Sequence, residues 1–143
     1  MTVNQILAVK GKEVYSVLPS ITVYEALVSM GEKNIGAILV VEDNVLKGIL
    51  SERDYARKIA LKDKSSKETL VNEIMASNVI TVKPSDDLDY CMGLMYNKKI
   101  RHLPVLENET IIGIISIGDV VKSIIDLQKE TIQYLDSYIS GKS

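Results

Sequence analysis

The sequence has little of the side-chain chemistry that most enzymes and metalloproteins use. Its 143 residues include one histidine and one cysteine, Cys91, but no tryptophan or phenylalanine. A single cysteine excludes an internal disulfide, and no Cys–Cys or Cys–His cluster forms a zinc-ligand pattern. Cys91 lies in an apolar helical pattern, which favours a small core residue over a reactive thiol. We therefore expect no metal site, and a core built from isoleucine, valine, leucine and methionine.

Positive charge is not in excess either. The 17 lysines and arginines are balanced by 19 aspartates and glutamates, for a formal net charge of −2. Nucleic-acid-binding domains usually show a clear basic excess, so no nucleic-acid partner is expected, although a local basic pocket for one phosphate is compatible with this charge. No apolar run approaches the roughly 20 residues of a membrane helix. The opening MTVNQILAVKGKEV lacks the features of a signal peptide. We expect a cytoplasmic protein with no membrane partner, in a reducing compartment.

What the sequence does contain is one unit that occurs twice. When the chain is shifted along itself by 65 residues, GILSERD at 48–54 aligns with GIISIGD at 113–119 without a gap. Both strings keep a glycine, a serine and an aspartate: Gly48, Ser51 and Asp54 in the first, and Gly113, Ser116 and Asp119 in the second. A unit of this size rarely buries its apolar face alone, so the two copies are predicted to share one core.

Each copy predicts the same order of elements. A short strand, VYSV or VITV, leads through a Pro-Ser turn to a helix, and two strands joined by a polar turn then resemble a hairpin. The Ser-x-x-Asp segment follows directly and opens a second helix. The sequence thus predicts an α/β fold of two tandem β-α-β-β-α repeats, at 1–68 and 69–143, with a polar linker at 62–70. A short helix is expected at 2–9 and a longer closing helix from 119 to about 139.

Several helix caps are also predicted. Thr22 is expected to cap the first helix of copy one, with Glu25 completing a capping box, and Ser85 or Asp86 to cap its counterpart in copy two. The repeated serine and aspartate have two interpretations. In one they only cap helices, through bonds between side chains and free backbone N–H groups. In the other the aspartate accepts hydrogen bonds from ribose hydroxyls while the serine and helix N–H groups meet a phosphate.

The duplicated unit, ending in Gly-h-h-Ser-x-x-Asp (h, apolar), resembles the cystathionine-β-synthase (CBS) domain, and a tandem pair of these resembles a Bateman module. The similarity runs from about residue 10 to 130. GILSERDYARK is similar to stand-alone bacterial pairs with a SERD motif, and KKIRHLPVLE is equally typical of the family. The resemblance implies pseudo-twofold symmetry, a homodimer, and two clefts between the repeats. It also implies that these clefts bind AMP, ADP, ATP, NAD(H) or S-adenosylmethionine.

The resemblance further implies two sets of ligand-binding residues. Cleft A would combine Tyr15, Ile35, Gly36, Ala37, Ser116 and Asp119. Cleft B would combine Val79, Ile80, Ile100, Arg101, His102, Ser51, Arg53 and Asp54. The guanidinium of Arg101 suits phosphate oxygens, with a solvated surface charge as the alternative. His102 has no partner for catalysis or metal binding, and a packing role is its alternative. Copy two has no arginine matching Arg53, so the two clefts are expected to differ in ligand or affinity.

The function expected from these features is a non-catalytic regulatory module that senses an adenine nucleotide and passes its state to a partner. No nucleophile with a base, metal set or carboxylate pair supports an enzyme, and no catalytic cofactor is expected. The alternative is a protein-interaction or dimerisation module with empty clefts. The closing helix carries more apolar residues than one face needs, which fits either a dimer interface or burial against its own repeat.

Overall fold

The two halves of the chain fold into the same succession of elements. The computed structural model describes residues 1–140. The first half contains helix α1 (Val3–Lys10), strand β1 (Ser16–Val17), helix α2 (Val23–Lys33), strands β2 (Ala37–Glu42) and β3 (Val45–Ser51), helix α3 (Glu52–Lys58) and a 3-10 turn (Ala60–Lys62). The second contains helices α4 (Val71–Ile74) and α5 (Leu88–Lys98), strands β4 (His102–Glu107) and β5 (Thr110–Ser116), and helix α6 (Ile117–Ile139). The predicted α/β fold is confirmed.

Equivalent elements begin 65 residues apart, as the alignment of the two copies predicts. The β2–β3 and β4–β5 hairpins are antiparallel, and each has a register irregularity near its turn. Their two-residue turns, Asp43-Asn44 and Asn108-Glu109, have φ values of 53°, 61°, 50° and 67°. Positive φ at both central residues is the turn geometry that matches the right-handed twist of the flanking strands. The duplication therefore extends from sequence to backbone conformation.

The first strand of each repeat is shorter than predicted. In copy one only Ser16–Val17 pairs with β2, in parallel. In copy two the prediction of a VITV strand is wrong, because only Val82 makes an isolated parallel bridge with Val105. The Val82 N–H donates to the Pro104 carbonyl at 3.0 Å, and Leu106 N–H donates to the Val82 carbonyl at 2.9 Å. Two hydrogen bonds at a single residue form an isolated β-bridge, which is too short to be a β-strand.

The apolar side chains form two buried clusters, one for each repeat, where the sequence predicted one shared core. The first cluster is built on α2, β2 and β3 and includes Leu50 and Ile59. The second is built on α5, β4 and β5 and includes Cys91, which is fully buried as expected. Helix α1 belongs to the second cluster, where it buries Val3, Ile6 and Leu7. Helix α4 has the same role in the first cluster, where it buries Val71 and Ile74, so each cluster includes one of these two helices.

The helix caps agree with the sequence in one repeat and differ in the other. The Thr22 hydroxyl accepts from the Glu25 N–H at 3.1 Å, as predicted, but the Glu25 side chain does not complete the predicted capping box. Helix α5 is capped by Asp87, whose carboxylate accepts from the Tyr90 N–H at 2.8 Å, so the prediction of Ser85 or Asp86 is wrong. The Asp86 carboxylate instead accepts from the Lys83 N–H at 2.8 Å and closes the preceding turn.

Helix α6 is the longest helix and is only partly covered. Val120 is its one buried residue within the described chain, and Ile117, Val121, Ile125, Ile132, Leu135 and Tyr138 are exposed. It packs against α1, α5 and β5 through its first turns. Among residues 1–140, no helix has the length and apolar character needed to cross a membrane.

Candidate functional site

The repeated serine and aspartate form a capping box at the start of α3 and of α6. At α3 the Asp54 N–H donates to Ser51 Oγ at 3.2 Å, and the Ser51 N–H donates to Asp54 Oδ2 at 3.0 Å. At α6 the corresponding distances between Ser116 and Asp119 are 3.2 and 2.7 Å. Both pairs therefore cap helices. The side chains of Asp54 and Asp119 keep 17% and 22% of their surface exposed, so each carboxylate also faces a cleft.

Cleft A is a cavity of about 390 Å³ between the two halves of the chain. All six residues predicted for it line its wall: Tyr15, Ile35, Gly36 and Ala37 from the first half, and Ser116 and Asp119 from the second. The prediction missed Lys10, Glu13, Lys33 and His102, which also line it. Lys10 ends helix α1, and the residue 65 positions later, Met75, is uncharged, so the alignment of the two copies gave no signal for it.

Each charged side chain of cleft A already has a partner within the cleft. Lys10 Nζ lies 2.7 Å from Asp119 Oδ2 and also donates to the Ile114 carbonyl at 2.5 Å. The Tyr15 hydroxyl donates to Glu13 at 3.0 Å, and the Lys33 ammonium stands 5.0 Å from the centre of the Tyr15 ring. Two lysines thus oppose two carboxylates, and cleft A is close to neutral.

These contacts shift two pKa values in cleft A. Burial raises the pKa of the Asp119 carboxyl, but hydrogen bonds from Lys10 and Ser116 outweigh burial and hold that pKa below its ordinary value. The hydrogen bond to the Glu13 carboxylate, together with its negative charge, raises the pKa of the Tyr15 phenol. Asp119 is therefore an anion at neutral pH and can accept hydrogen bonds from a ligand.

Cleft B is a second cavity, of about 290 Å³, at the other repeated motif. Six predicted residues line it: Ser51, Arg53, Asp54, Ile100, Arg101 and His102. The predicted Val79 and Ile80 do not line it; Ile80 packs against the second core instead. The prediction missed Ile49, Arg57, Ala76 and Lys99. Arg57 could have been found, because residues four apart on a helix share a face and Arg53 was already included.

Positive charge dominates cleft B. Four of its side chains are cationic, Arg53, Arg57, Lys99 and Arg101, and Asp54 is the one carboxylate that lines it. Arg53 is held in place, because its Nη1 donates to the Lys99 carbonyl at 3.1 Å. The Asp54 carboxylate accepts from the Ser51 hydroxyl at 3.0 Å and pairs with Lys58 at 3.2 Å. The cations that line the cleft thus keep their charge available to a ligand.

His102 stands between the two clefts and lines both. Its ring lies close to Gly36, where an added Cβ would be 3.8 Å from the His102 Nε2. Burial lowers the pKa of the imidazole, and the positive charges of Lys10 and Arg101 lower it further against the smaller opposing effect of Asp119 and Glu52. His102 is therefore neutral at pH 7. Within residues 1–140, no group of three or more His, Cys, Asp or Glu side chains is placed to hold a metal ion.

Comparison with known proteins gives consistent matches to one family. The chain is 44% identical over 125 residues to the mitochondrial CBS domain-containing protein CBSX3 of Arabidopsis thaliana, covering 84% of this chain and 61% of that protein. It is 50% identical to a solved structure of a protein with CBS domains from Burkholderia ambifaria, with a TM-score of 0.85 over 88% of this chain and 95% of that one.

A second solved structure contains ligands. The CBS domain pair of MJ0100, in complex with 5′-methylthioadenosine and S-adenosyl-L-methionine, is 25% identical, with a TM-score of 0.76 over 87% of this chain and 95% of that one. The CBS domain family profile matches residues 8–61 and 71–126, one match for each repeat. The chain therefore belongs to the CBS domain family, as a tandem pair of CBS domains.

Proposed function

We propose that this protein is a non-catalytic regulatory module that binds adenosine-containing ligands in clefts A and B. The observation that carries the proposal is the composition of the clefts. Each combines a repeated serine–aspartate pair from one repeat with strand residues of the other. A ligand bound there touches both repeats, so it favours the relative arrangement that it binds more tightly. The regulated partner is a protein that distinguishes these arrangements.

Asp119 is suited to a ribose. Asp119 Oδ2 is used by the Ser116 N–H and by Lys10. Within residues 1–140 no hydrogen bond occupies its Oδ1, which is free to accept from ribose hydroxyls. The complex of the MJ0100 pair with 5′-methylthioadenosine and S-adenosyl-L-methionine supports adenosine as the shared part of the ligand. AMP, other adenine nucleotides and NAD(H) are the ligands to test first, and a cytoplasmic location belongs to the proposal.

Ligand binding should appear as thermal stabilisation that depends on a single carboxylate. At a hundredfold excess over its dissociation constant, a ligand of the folded state adds about 2.7 kcal/mol to the free energy of unfolding. We expect at least one of AMP, ADP, ATP, NAD(H) and S-adenosylmethionine to raise the melting temperature of the wild type. Asp119→Asn should abolish this shift for cleft A, and Asp54→Asn for cleft B, because each loses the anionic ribose acceptor.

Asp87→Asn is the matched control for these variants. Asp87 also caps a helix through its carboxylate, but it lines neither cleft. It should change the melting temperature of the apo protein little, because asparagine also caps helices, and leave the ligand-induced shift unchanged. If none of the ligands shifts the folded wild type, the two aspartates act as helix caps only. The alternative function, a protein-interaction module with empty clefts, would then be correct.

We also propose that the protein forms a homodimer through the exposed apolar face of α6. The exposed Val121 and Ile125 lie one turn apart on α6, and Val121 lines a groove of about 940 Å³ together with Met92 and Ile124. A relative, the CBS-CP12 protein of bloom-forming cyanobacteria, 29% identical, is hexameric. An apolar patch of this kind on a helix face is typical of an association surface.

The dimer is testable by light scattering coupled to size-exclusion chromatography at low micromolar concentration. We expect twice the chain mass for the wild type and the chain mass for Val121→Lys/Ile125→Lys, because two buried charges oppose association. Val45→Lys, at an exposed apolar residue on β3, is the control and should stay dimeric. A monomeric wild type would contradict the dimer.

A further inference from the structure

The two clefts have the same plan but different electrostatics. Cleft A has two lysines and two carboxylates, and each of these groups already has a partner inside the cleft. Cleft B has four cationic side chains and one carboxylate. The chain as a whole carries a net charge of −2, so the positive charge of cleft B is a local feature with no equivalent in the average composition.

The cations of cleft B are also arranged at one end of it. Arg53, Arg57, Lys99 and Arg101 line both cleft B and the neighbouring groove of about 940 Å³. Ile49 and Ala76 line cleft B alone and supply an apolar wall for a base. A ligand whose base and ribose lie against this wall and Asp54 therefore reaches the cations only with groups that extend towards the groove.

Arginine and lysine bind phosphate differently, which matters where cleft B meets the groove. Arg57 and Arg101 are exposed, and their planar guanidinium groups can each bind two phosphate oxygens. Arg53 is half-buried and oriented by its bond to the Lys99 carbonyl, so less conformational entropy is lost when it binds. One phosphate would leave much of this charge unused, whereas two or three phosphates in a row would contact most of it.

Building on the proposed function, we propose that the two clefts divide adenosine ligands by charge. Cleft B selects adenosine ligands that carry two or more phosphates. Cleft A binds adenosine ligands with little regard to phosphate, because Lys10 is already paired with Asp119, Lys33 lies over the Tyr15 ring, and the two lysines are balanced by two carboxylates. One module would thus respond to two different ligands. Cleft B would bind a nucleotide with two or more phosphates, and cleft A would bind a less charged adenosine compound.

Calorimetric titrations of the single-cleft variants test this division. In Asp119→Asn, where cleft B remains intact, ADP should bind roughly tenfold or more tightly than either AMP or adenosine, as expected for added charge-assisted hydrogen bonds. This ratio should fall in high salt, because exposed charges are screened. In Asp54→Asn, where cleft A remains intact, adenosine, AMP and ADP should bind with affinities within about threefold of one another, which is below the effect of one such hydrogen bond.

Arg57→Gln/Arg101→Gln, placed in the Asp119→Asn background, should remove most of the ADP preference and leave adenosine binding unchanged. Lys47→Gln removes an exposed charge that lines neither cleft and should preserve the preference. Equal affinities for adenosine and ADP at cleft B, or the same preference at cleft A, would overturn the division while leaving the proposed function in place. Absence of binding by every compound in the wild type would overturn both.

Discussion

Gly48→Ala is expected to destabilise the fold by about 3 kcal/mol, the upper end of the usual cost of overpacking a core. A Cβ at Gly48 would lie 2.7 Å from the Met75 Sδ and 2.8 Å from the Ala76 carbonyl oxygen. The sulfur can move, but the carbonyl cannot, because it accepts from the Ile49 N–H at 3.0 Å. The Ala76 N–H in turn donates to the Ile49 carbonyl at 2.9 Å, so this backbone bridge is fixed from both sides.

Urea unfolding of the apo protein measures this effect, with Gly113→Ala as the matched variant. Gly113 occupies the equivalent position of the second repeat, but its Cβ would meet only the Leu7 side chain, at 2.8 Å. A leucine can change rotamer, so Gly113→Ala should cost less. Adding Met75→Ala to Gly48→Ala should recover only part of the loss, because the carbonyl contact remains. A cost for Gly48→Ala equal to or below that of Gly113→Ala would contradict this account.

Leu7→Ala is expected to lower the free energy of unfolding by about 3 kcal/mol, within the usual range for leaving a cavity where a buried leucine side chain was. Leu7 is fully buried in the second core, although it lies on α1 at the start of the chain. Most small domains are stable by about 5–15 kcal/mol, so this single change removes a large part of the total. Val9→Ala on the same helix is the control, because Val9 is 74% exposed, and it should change stability little.

Leu7 and Gly113 are neighbours, so substitutions at the two positions are expected to affect each other. In the Leu7→Ala background the methyl group of Gly113→Ala enters the space that the leucine leaves. The double variant should therefore be more stable than the sum of the two single effects implies, which a double-mutant cycle measures directly. Strict additivity of the two changes would show that Leu7 and Gly113 do not share this space.

The sequence alone predicts most of the fold, because the two copies confirm each other. A shift of 65 residues aligns the helices and hairpins of the structure, and the apolar pattern identifies the buried strands. The alignment could also have corrected one error. It pairs Asp87 with Thr22, and Asp87 caps α5, while the Asp86 carboxylate accepts from the Lys83 N–H. The VITV segment meets β4 at one residue, and its strand-like composition does not reveal this.

The clefts are predictable only in part, for a related reason. Cleft A follows from residues that the repeats and the family resemblance point to, and all six of its predicted residues line the cavity. Tertiary packing places Lys10 in cleft A. It also brings four cations together where cleft B meets the groove, namely Arg53, Arg57, Lys99 and Arg101. Lys10 reaches Asp119 across 109 positions of sequence because α1 docks on the second repeat. No local sequence pattern predicts this contact, and the net charge of −2 gives no indication of the cluster of cations in cleft B.

The docking of α1 on the second repeat also has a consequence for synthesis of the chain. Helix α1 is translated before β5, and the β5 residues that receive it lie more than 100 positions later. Domains fold in order as they emerge, so the first repeat can become compact while α1 still has no surface to cover its apolar face. Only when β5 and the start of α6 have been translated can Val3 and Leu7 be buried and Lys10 reach Asp119. Cleft A therefore forms only after both repeats have been translated as far as the start of α6.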